Sequence, residues 1–438
     1  MRILIVTHSF APELTPRAFR WAAIARSLAT SGHQVDVVCA RPPGTPAQES
    51  MEGVEVHRVR DPLSRSPVGG VAEPKRRPGL LRRLLRWVYG QTWRRLYWPD
   101  YACAWYFSAV RRASTLLVEH KHDWIISVSH PFTGHLVGLA LKRRNPKVPW
   151  LVDIGDPFCL MDDPAPNNIA FYRRLSQRVD RAVLRGAEVV SVTTSGTRDA
   201  YAHLFPESAA KIHVIPPMLS LPGRVAADTA RQDAAGPLRL VYVGTLYRRL
   251  RSPAPLLSLF ERLVAVLPDV PLELHFLGNV NDSAELFQPY EHWLGSRLFV
   301  HGLVSRECAQ QTMQDAHVLI NLGNYSATQL PSKVIEYVAM GKPILNLITI
   351  RDDSSVGVLA SYPAALTLHM DGAAMSEAEV RKVAKFIAGP PVVMAEAIRD
   401  WLMPYTEQSV SQDYLRLLLP NSACAHERMQ ARAEVASK

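Results

Sequence analysis

The feature that most constrains this chain is a pattern that runs once, stops and starts again. Short apolar runs over 2–7, 34–40, 54–59, 123–129, 150–154, 188–193 and 211–215 read as strands, with helical spacing over 17–31 and 134–144 between them. Runs that are apolar on consecutive residues suit parallel strands covered on both faces. Gly32 stands where the first helix should end. Pro216-Pro217 and the stretch 223–236 break the pattern. It resumes with strands over 238–243, 272–277, 298–301, 316–322 and 343–347, the first three closed by Gly244, Gly278 and Gly302, and with helices over 253–267 and 334–340. Two such alternations imply two doubly wound α/β domains, each a parallel sheet between layers of helices. A chain of 438 residues is also longer than one core usually serves. Sheets of this kind take ligands beyond the C-terminal ends of their strands, so a cleft between the two domains is the expected site.

The expected boundaries follow from the same reading. The first domain covers 1–218, a linker 219–236 and the second domain 237–395. A helical segment over 396–420 is expected to pack back on the first domain, and the polar tail 421–438 is expected to be disordered. The five cysteines are scattered, and none forms a Cys-x-x-Cys pair, which argues against a disulfide framework and a zinc site. The opening apolar run is too short for a secretory signal, and no run reaches the length of a membrane span. A cytoplasmic protein is expected.

The net charge is +10, and much of it is local. Between Lys75 and Arg112 there are ten Lys and Arg against Asp100 alone, interleaved with nine aromatic residues. This basic, aromatic stretch is read as an insertion in the first domain over about 71–112. It suits an anionic membrane surface, such as the inner face of a cell membrane, or equally an insertion whose aromatics pack on their own domain. Nucleic acid is the weaker reading, and none is expected as a partner.

The strongest chemical signal is the run from Leu330 to Ile344. Pro331 and Ser332 open a helix whose free N–H groups and dipole favour a phosphate. Lys333 adds a positive charge in the first turn. Glu336, one turn on, has the chemistry to accept two hydrogen bonds from a ribose diol. The same spacing is also that of an ordinary surface ion pair.

This run resembles the donor-binding helix of retaining GT-B glycosyltransferases, especially glycosyltransferase family 4. The resemblance extends to Tyr242-Val243-Gly244-Thr245-Leu246-Tyr247 followed by Arg251, and to His301-Gly302-Leu303-Val304. It also takes in Lys211 to Pro216, Phe10-Ala11-Pro12-Glu13, Gly32-His33-Gln34-Val35 and Asp153-Ile154-Gly155-Asp156-Pro157-Phe158. The last is similar to a segment of family members that build cell-envelope polysaccharides. The resemblance implies a GT-B fold, two Rossmann-like domains facing across a cleft, with a nucleotide-sugar donor held by the second. Gly244 and Arg251 then meet the diphosphate, Gly302 and Leu303 the base, and Pro331, Ser332, Lys333 and Glu336 the phosphate and ribose. It implies transfer with retention to a cell-envelope or exopolysaccharide acceptor, such as a lipid-linked glycan.

For the catalytic centre, Asp156 and His130 stand just beyond expected strand ends. Departure of a nucleoside diphosphate needs stabilisation of the developing charge on the sugar and on the phosphate oxygen. Asp156 or His130 suits the first; Arg251, Lys333 and the helix start suit the second. With protein cations in that role and no Asp-x-Asp pair at a strand end, no metal and no cofactor beyond the donor substrate is expected. The chain departs from the family at two places. Leu14, Thr15, Pro16 and Arg17 replace the usual paired glycines of the first loop, and Arg17 and Arg20 become candidates for an acidic group on the acceptor. Thr328 stands where the family often has a second Glu, eight residues before Glu336. That departure sustains the reading of a non-catalytic nucleotide-sugar-binding protein. A nucleotide-sugar epimerase of the same architecture is the other alternative. A nicotinamide dehydrogenase is disfavoured, since neither half has Gly-x-Gly-x-x-Gly after its first strand.

Overall fold

The computed structural model describes residues 1–13, 15–62, 96–161, 167–219, 236–324, 326–330, 333–370 and 375–419. The expected tail, nearly all of the expected linker, Pro331, Ser332 and the part of the basic stretch before Leu96 lie outside the described residues. The chain divides into two compact units, Met1–Ser220 with Glu407–Ser422, and Leu221–Thr406 with Ala423–Lys438.

The first unit runs β1 (Arg2–Val6), α1 (Pro16–Thr30), β2 (Gln34–Ala40), β3 (Gln48–Met51), β4 (Val54–Val59), α2 (Trp105–Glu119), β5 (Trp124–Ser129), α3 (Thr133–Arg144), β6 (Trp150–Ile154), α4 (Ile169–Gly186), β7 (Val189–Val192), α5 (Ser195–Leu204) and β8 (Ile212–Val214). Its sheet has the order β3-β4-β2-β1-β5-β6-β7-β8. All pairs are parallel except β3 with β4. The central strands β1, β5 and β6 are apolar runs buried on both faces, as parallel pairing requires. α1 starts where Thr15 accepts a hydrogen bond from the Ala18 amide at 3.1 Å, with Pro16 at its first position.

One expectation changes here. Part of the stretch read as an insertion is the core helix α2. Trp105, Ala109, Ala113 and Leu116 share one stripe and are buried in the main apolar cluster. Trp98 and Tyr106 pack against the same cluster. Arg112 is engaged by His57 at 3.1 Å. Among the described aromatics of the stretch only Tyr101 and Phe107 are well exposed, so this portion packs on its own domain.

The second unit runs β9 (Leu238–Val243), α6 (Ala254–Val266), β10 (Leu272–Leu277), β11 (Leu298–Gly302), α7 (Arg306–Gln314), β12 (Val318–Leu322), α8 (Lys333–Ala339), β13 (Ile344–Ile348), α9 (Ser354–Leu359), β14 (Ala365–His369), α10 (Glu377–Ala388) and α11 (Ala395–Leu402). Its sheet is parallel, in the order β11-β10-β9-β12-β13-β14. α11 packs on α8 within this unit. The return to the first unit therefore begins at Glu407, later than the expected 396.

The returning helix, α12 (Glu407–Leu418), packs on α1. The Arg26 guanidinium donates to both oxygens of Glu407 at 2.8 and 2.9 Å. Deeper in, the Tyr414 hydroxyl donates to Asp153 Oδ1 at 2.6 Å and accepts from Arg20 at 3.0 Å. Asp153 also accepts from Trp21 Nε1, Ser191 Oγ and Arg17 Nη1. One buried carboxylate thus joins β6, β7, α1 and the returning helix.

Candidate active-site residues in the two units

In the second sheet the strand order reverses between β9 and β12, the switch point at which doubly wound sheets open a crevice. Gly244, Gly278 and Gly302 lie at or just past the C-terminal ends of β9, β10 and β11. The Gly244 amide donates to Leu277 O at 2.9 Å and the Gly278 amide to Gly302 O at 2.7 Å. Gly278 has φ +126°, and a Cβ there would stand 2.1 Å from the Gly244 carbonyl oxygen. Only glycine permits this close approach of two strand ends.

Arg251 spans the switch point. A tight turn pairs Tyr247 with Arg251 through two backbone hydrogen bonds. This brings the guanidinium to Thr245 O on the β9 side, at 3.3 Å, and to Asn324 Oδ1 on the β12 side, at 3.2 Å from Nε. Asn324 is in turn held through Gln329 O at 3.0 Å. A neighbouring cavity of 230 Å³ is lined by Arg248, Arg249, Leu322, Gly323, Leu347 and Thr349. Two further guanidinium-bearing residues thus stand beside the strand ends.

α8 is fastened to the same strand end. The Tyr337 hydroxyl accepts from the Val243 amide at 3.0 Å and donates to its carbonyl at 3.2 Å. Burial pushes this phenol well above its usual range, so it stays protonated. The residue before Tyr337, Glu336, is buried and paired with Lys333 at 2.5 Å. The ion pair that the spacing allowed is therefore formed. Thr328 Oγ1 is 2.8 Å from Ser326 Oγ in the loop before α8. Gly302 has φ +70°, and Leu303 beyond it is 80% exposed.

In the first unit, His130 follows β5 and Asp156 follows β6, both half-buried at strand ends. Arg17 lies with them: it donates to Asp153 at 3.3 Å, and its guanidinium covers Gly155, where a Cβ would overlap it. Arg20 is corrected. It is 5% exposed and donates to Pro216 O at 2.7 Å, to Ile215 O and to Tyr414. An arginine so engaged fastens α1 to the end of the sheet and is not offered to an acceptor. Sequence reasoning missed Asn324, which aims Arg251, and the pair His8 and Asp61, 3.0 Å apart and both buried. His8 carries one faint signal, since it closely follows β1 as His130 follows β5. Among the described residues no three His, Cys, Asp or Glu come together as a metal-ligand set. None of the described helices is long and apolar enough to cross a membrane.

Two parallel-sheet Rossmann-like units in one chain define the GT-B fold, the class expected from the sequence. Residues 18–218 match the glycosyl transferase 4-like domain. The chain matches no curated protein. Its fold is similar to that of sucrose-phosphate synthase from Thermosynechococcus elongatus, with a TM-score of 0.62 at 16% identity over 95% of this chain and 98% of that one. It is similar to the lipopolysaccharide outer core galactosyltransferase WaaB, with a TM-score of 0.59 at 15% identity over 95% and 99% of the two chains. A protein from Listeria monocytogenes assigned as a UDP-N-acetylglucosamine 2-epimerase shares it at a TM-score of 0.52 and 12% identity, over 97% of each chain.

Proposed function

We propose that this protein is a glycosyltransferase. It moves a sugar from a nucleotide-sugar donor, held by the second unit, to a glycan acceptor held by the first, with retention at the anomeric carbon and without a metal ion. The observation that carries the reading is Arg251 across the β9–β12 switch point, beside the strand end to which Tyr337 fastens α8 with Lys333 and Glu336. Cations fixed on a rigid strand end suit the charge that develops on a departing diphosphate. Bond breaking at the anomeric carbon leaves the electron pair on the phosphate oxygen. The acceptor oxygen bonds to that carbon and gives its proton to the departing phosphate oxygen, which holds that electron pair. Asp156 and His130 are the candidates to stabilise the sugar cation, with Arg17 for an acidic group on the acceptor.

The match of the first unit to the glycosyl transferase 4-like domain favours transfer over epimerisation, which needs no acceptor. The acceptor class this reading carries is a cell-envelope glycan, lipid-linked and met at the inner face of the membrane. Its support is the similarity of 153–158 to enzymes of envelope polysaccharides, together with the basic residues Arg82, Arg83, Arg86, Arg94 and Arg95.

Glu336→Ala tests the donor side. Loss of a charge-assisted hydrogen-bonding pair costs about 1.5–3 kcal/mol, or about 10- to 150-fold in Kd. Calorimetric titration of the folded variant with a panel of nucleoside diphosphates is expected to show that loss. Unchanged affinity rejects Glu336 as a ribose ligand.

A further inference from the structure

The first sheet has its own switch point, between β1 and β5. His8, two residues past β1, and His130, the residue after β5, stand on its two sides. Between them sits Tyr101, whose ring centroid is 5.6 Å from each imidazole, edge-on to His8 and tilted against His130. Tyr101 is 48% exposed, although its neighbours in the turn, Asp100 and Ala102, are fully buried.

The turn that carries Tyr101 is firmly held. Asp100 accepts from the Thr133 amide at 3.0 Å and from its hydroxyl at 2.7 Å, at the head of α3. It also accepts from the Ala102 amide at 3.0 Å. Asn167 donates to Pro99 O at 2.6 Å. His8 is fixed through Nε2 to Asp61 at 3.0 Å and packs edge-on against Trp105. Its Nδ1 is buried with no hydrogen-bond partner among the described residues, and the whole residue is 4% exposed, so His8 is part of the wall beside Tyr101.

We infer that this switch point is the acceptor subsite and that Tyr101 is its platform, taking a pyranose ring of the acceptor on its exposed face. An aromatic ring offers the apolar surface that the C–H face of a sugar needs, and the half-buried imidazole of His130 beside it supplies a hydrogen bond at the ring's rim. His8 and Asp61 position the wall of the subsite, and Asp100 positions the platform. The inference rests on the glycosyltransferase reading for the identity of the ligand as acceptor. It adds a residue and a place that the donor site does not supply.

The test uses the full chain and the methyl pyranosides of glucose, galactose, mannose and N-acetylglucosamine. Saturation-transfer NMR on the wild-type protein is expected to give ring-proton signals from at least one of them. Those signals should vanish in Tyr101→Ala and persist in Tyr101→Phe, with nucleoside diphosphate affinity unchanged in both variants. In a turnover assay, Tyr101→Ala is expected to raise the acceptor KM by at least about tenfold, the worth of one buried ring face, while the donor KM stays put. Absence of ring-proton signals from all four pyranosides, or signals undiminished in Tyr101→Ala, overturns the subsite. Failure of the glycosyltransferase reading appears elsewhere, as loss of nucleotide binding or of acceptor-dependent release, so the two outcomes are distinguishable.

Discussion

An Asp153→Ala chain is expected to lose about 3–5 kcal/mol of stability in the first unit, the cost of removing one side of a buried, charged network. Asp153 is 1% exposed and accepts hydrogen bonds from Arg17, Trp21, Ser191 and Tyr414 at 3.3, 2.9, 2.8 and 2.6 Å. Alanine leaves these donors without their shared acceptor, and Arg17 and Arg20 without the neighbouring negative charge. The loss should be largest where α12 meets α1, because Tyr414 is the deep anchor of that helix. Denaturant unfolding measures the magnitude, and limited proteolysis its location: cleavage within 407–418 should appear at denaturant concentrations that leave the wild type intact. An unfolding profile equal to the wild type would remove Asp153 from the centre of this unit.

Arg251→Ala is expected to reduce kcat by about 10²–10³, as loss of a preorganised donor to a developing oxyanion does. The effect should exceed that of losing a binding contact alone, because charge on the departing diphosphate grows as the sugar leaves. Arg251→Lys should recover little. A single ammonium cannot reach Thr245 O and Asn324 Oδ1 together as the planar fork does. Single-turnover kinetics separates the chemical step from release. A variant that loses affinity but keeps its chemical rate would make Arg251 a binding residue only.

Much of this fold was legible because parallel strands buried on both faces cannot be disguised. β2, β4, β6, β9 and β10 begin and end where their apolar runs do. β3 was missed because Gln48–Met51 is an antiparallel strand at the sheet's edge and carries no apolar run. α2 was missed for a different reason. Its stripe of Trp105, Ala109, Ala113 and Leu116 is regular, but Trp105, Tyr106, Phe107, Arg111 and Arg112 made its composition look like that of an insertion. In the second unit, glycines and cations at strand ends are local signals: Gly244 follows β9, Arg251 reaches the Thr245 carbonyl next to it, and Tyr337, the neighbour of Glu336, is tied to Val243 at the end of the same strand. Pairings that span long stretches of chain were not legible. Asn324 meets Arg251 across 73 residues, and Asp61 meets His8 across 53. Arg20 shows the converse. Its position near the start of a helix looked exposed, and only contacts far along the chain, to Ile215, Pro216 and Tyr414 of α12, reveal why it is buried.

The central claim is acceptor-dependent transfer, and release of free nucleotide measures it most directly. The wild-type protein is incubated in EDTA with each of a panel of nucleotide sugars, with and without a lipid-linked glycan acceptor. The account predicts that one donor gives nucleotide only when acceptor is present, at a rate the chelator does not change, with the α-linkage of an α-linked donor preserved in the product. Nucleotide binding with no release under any condition, or conversion of the donor sugar without acceptor, would contradict it.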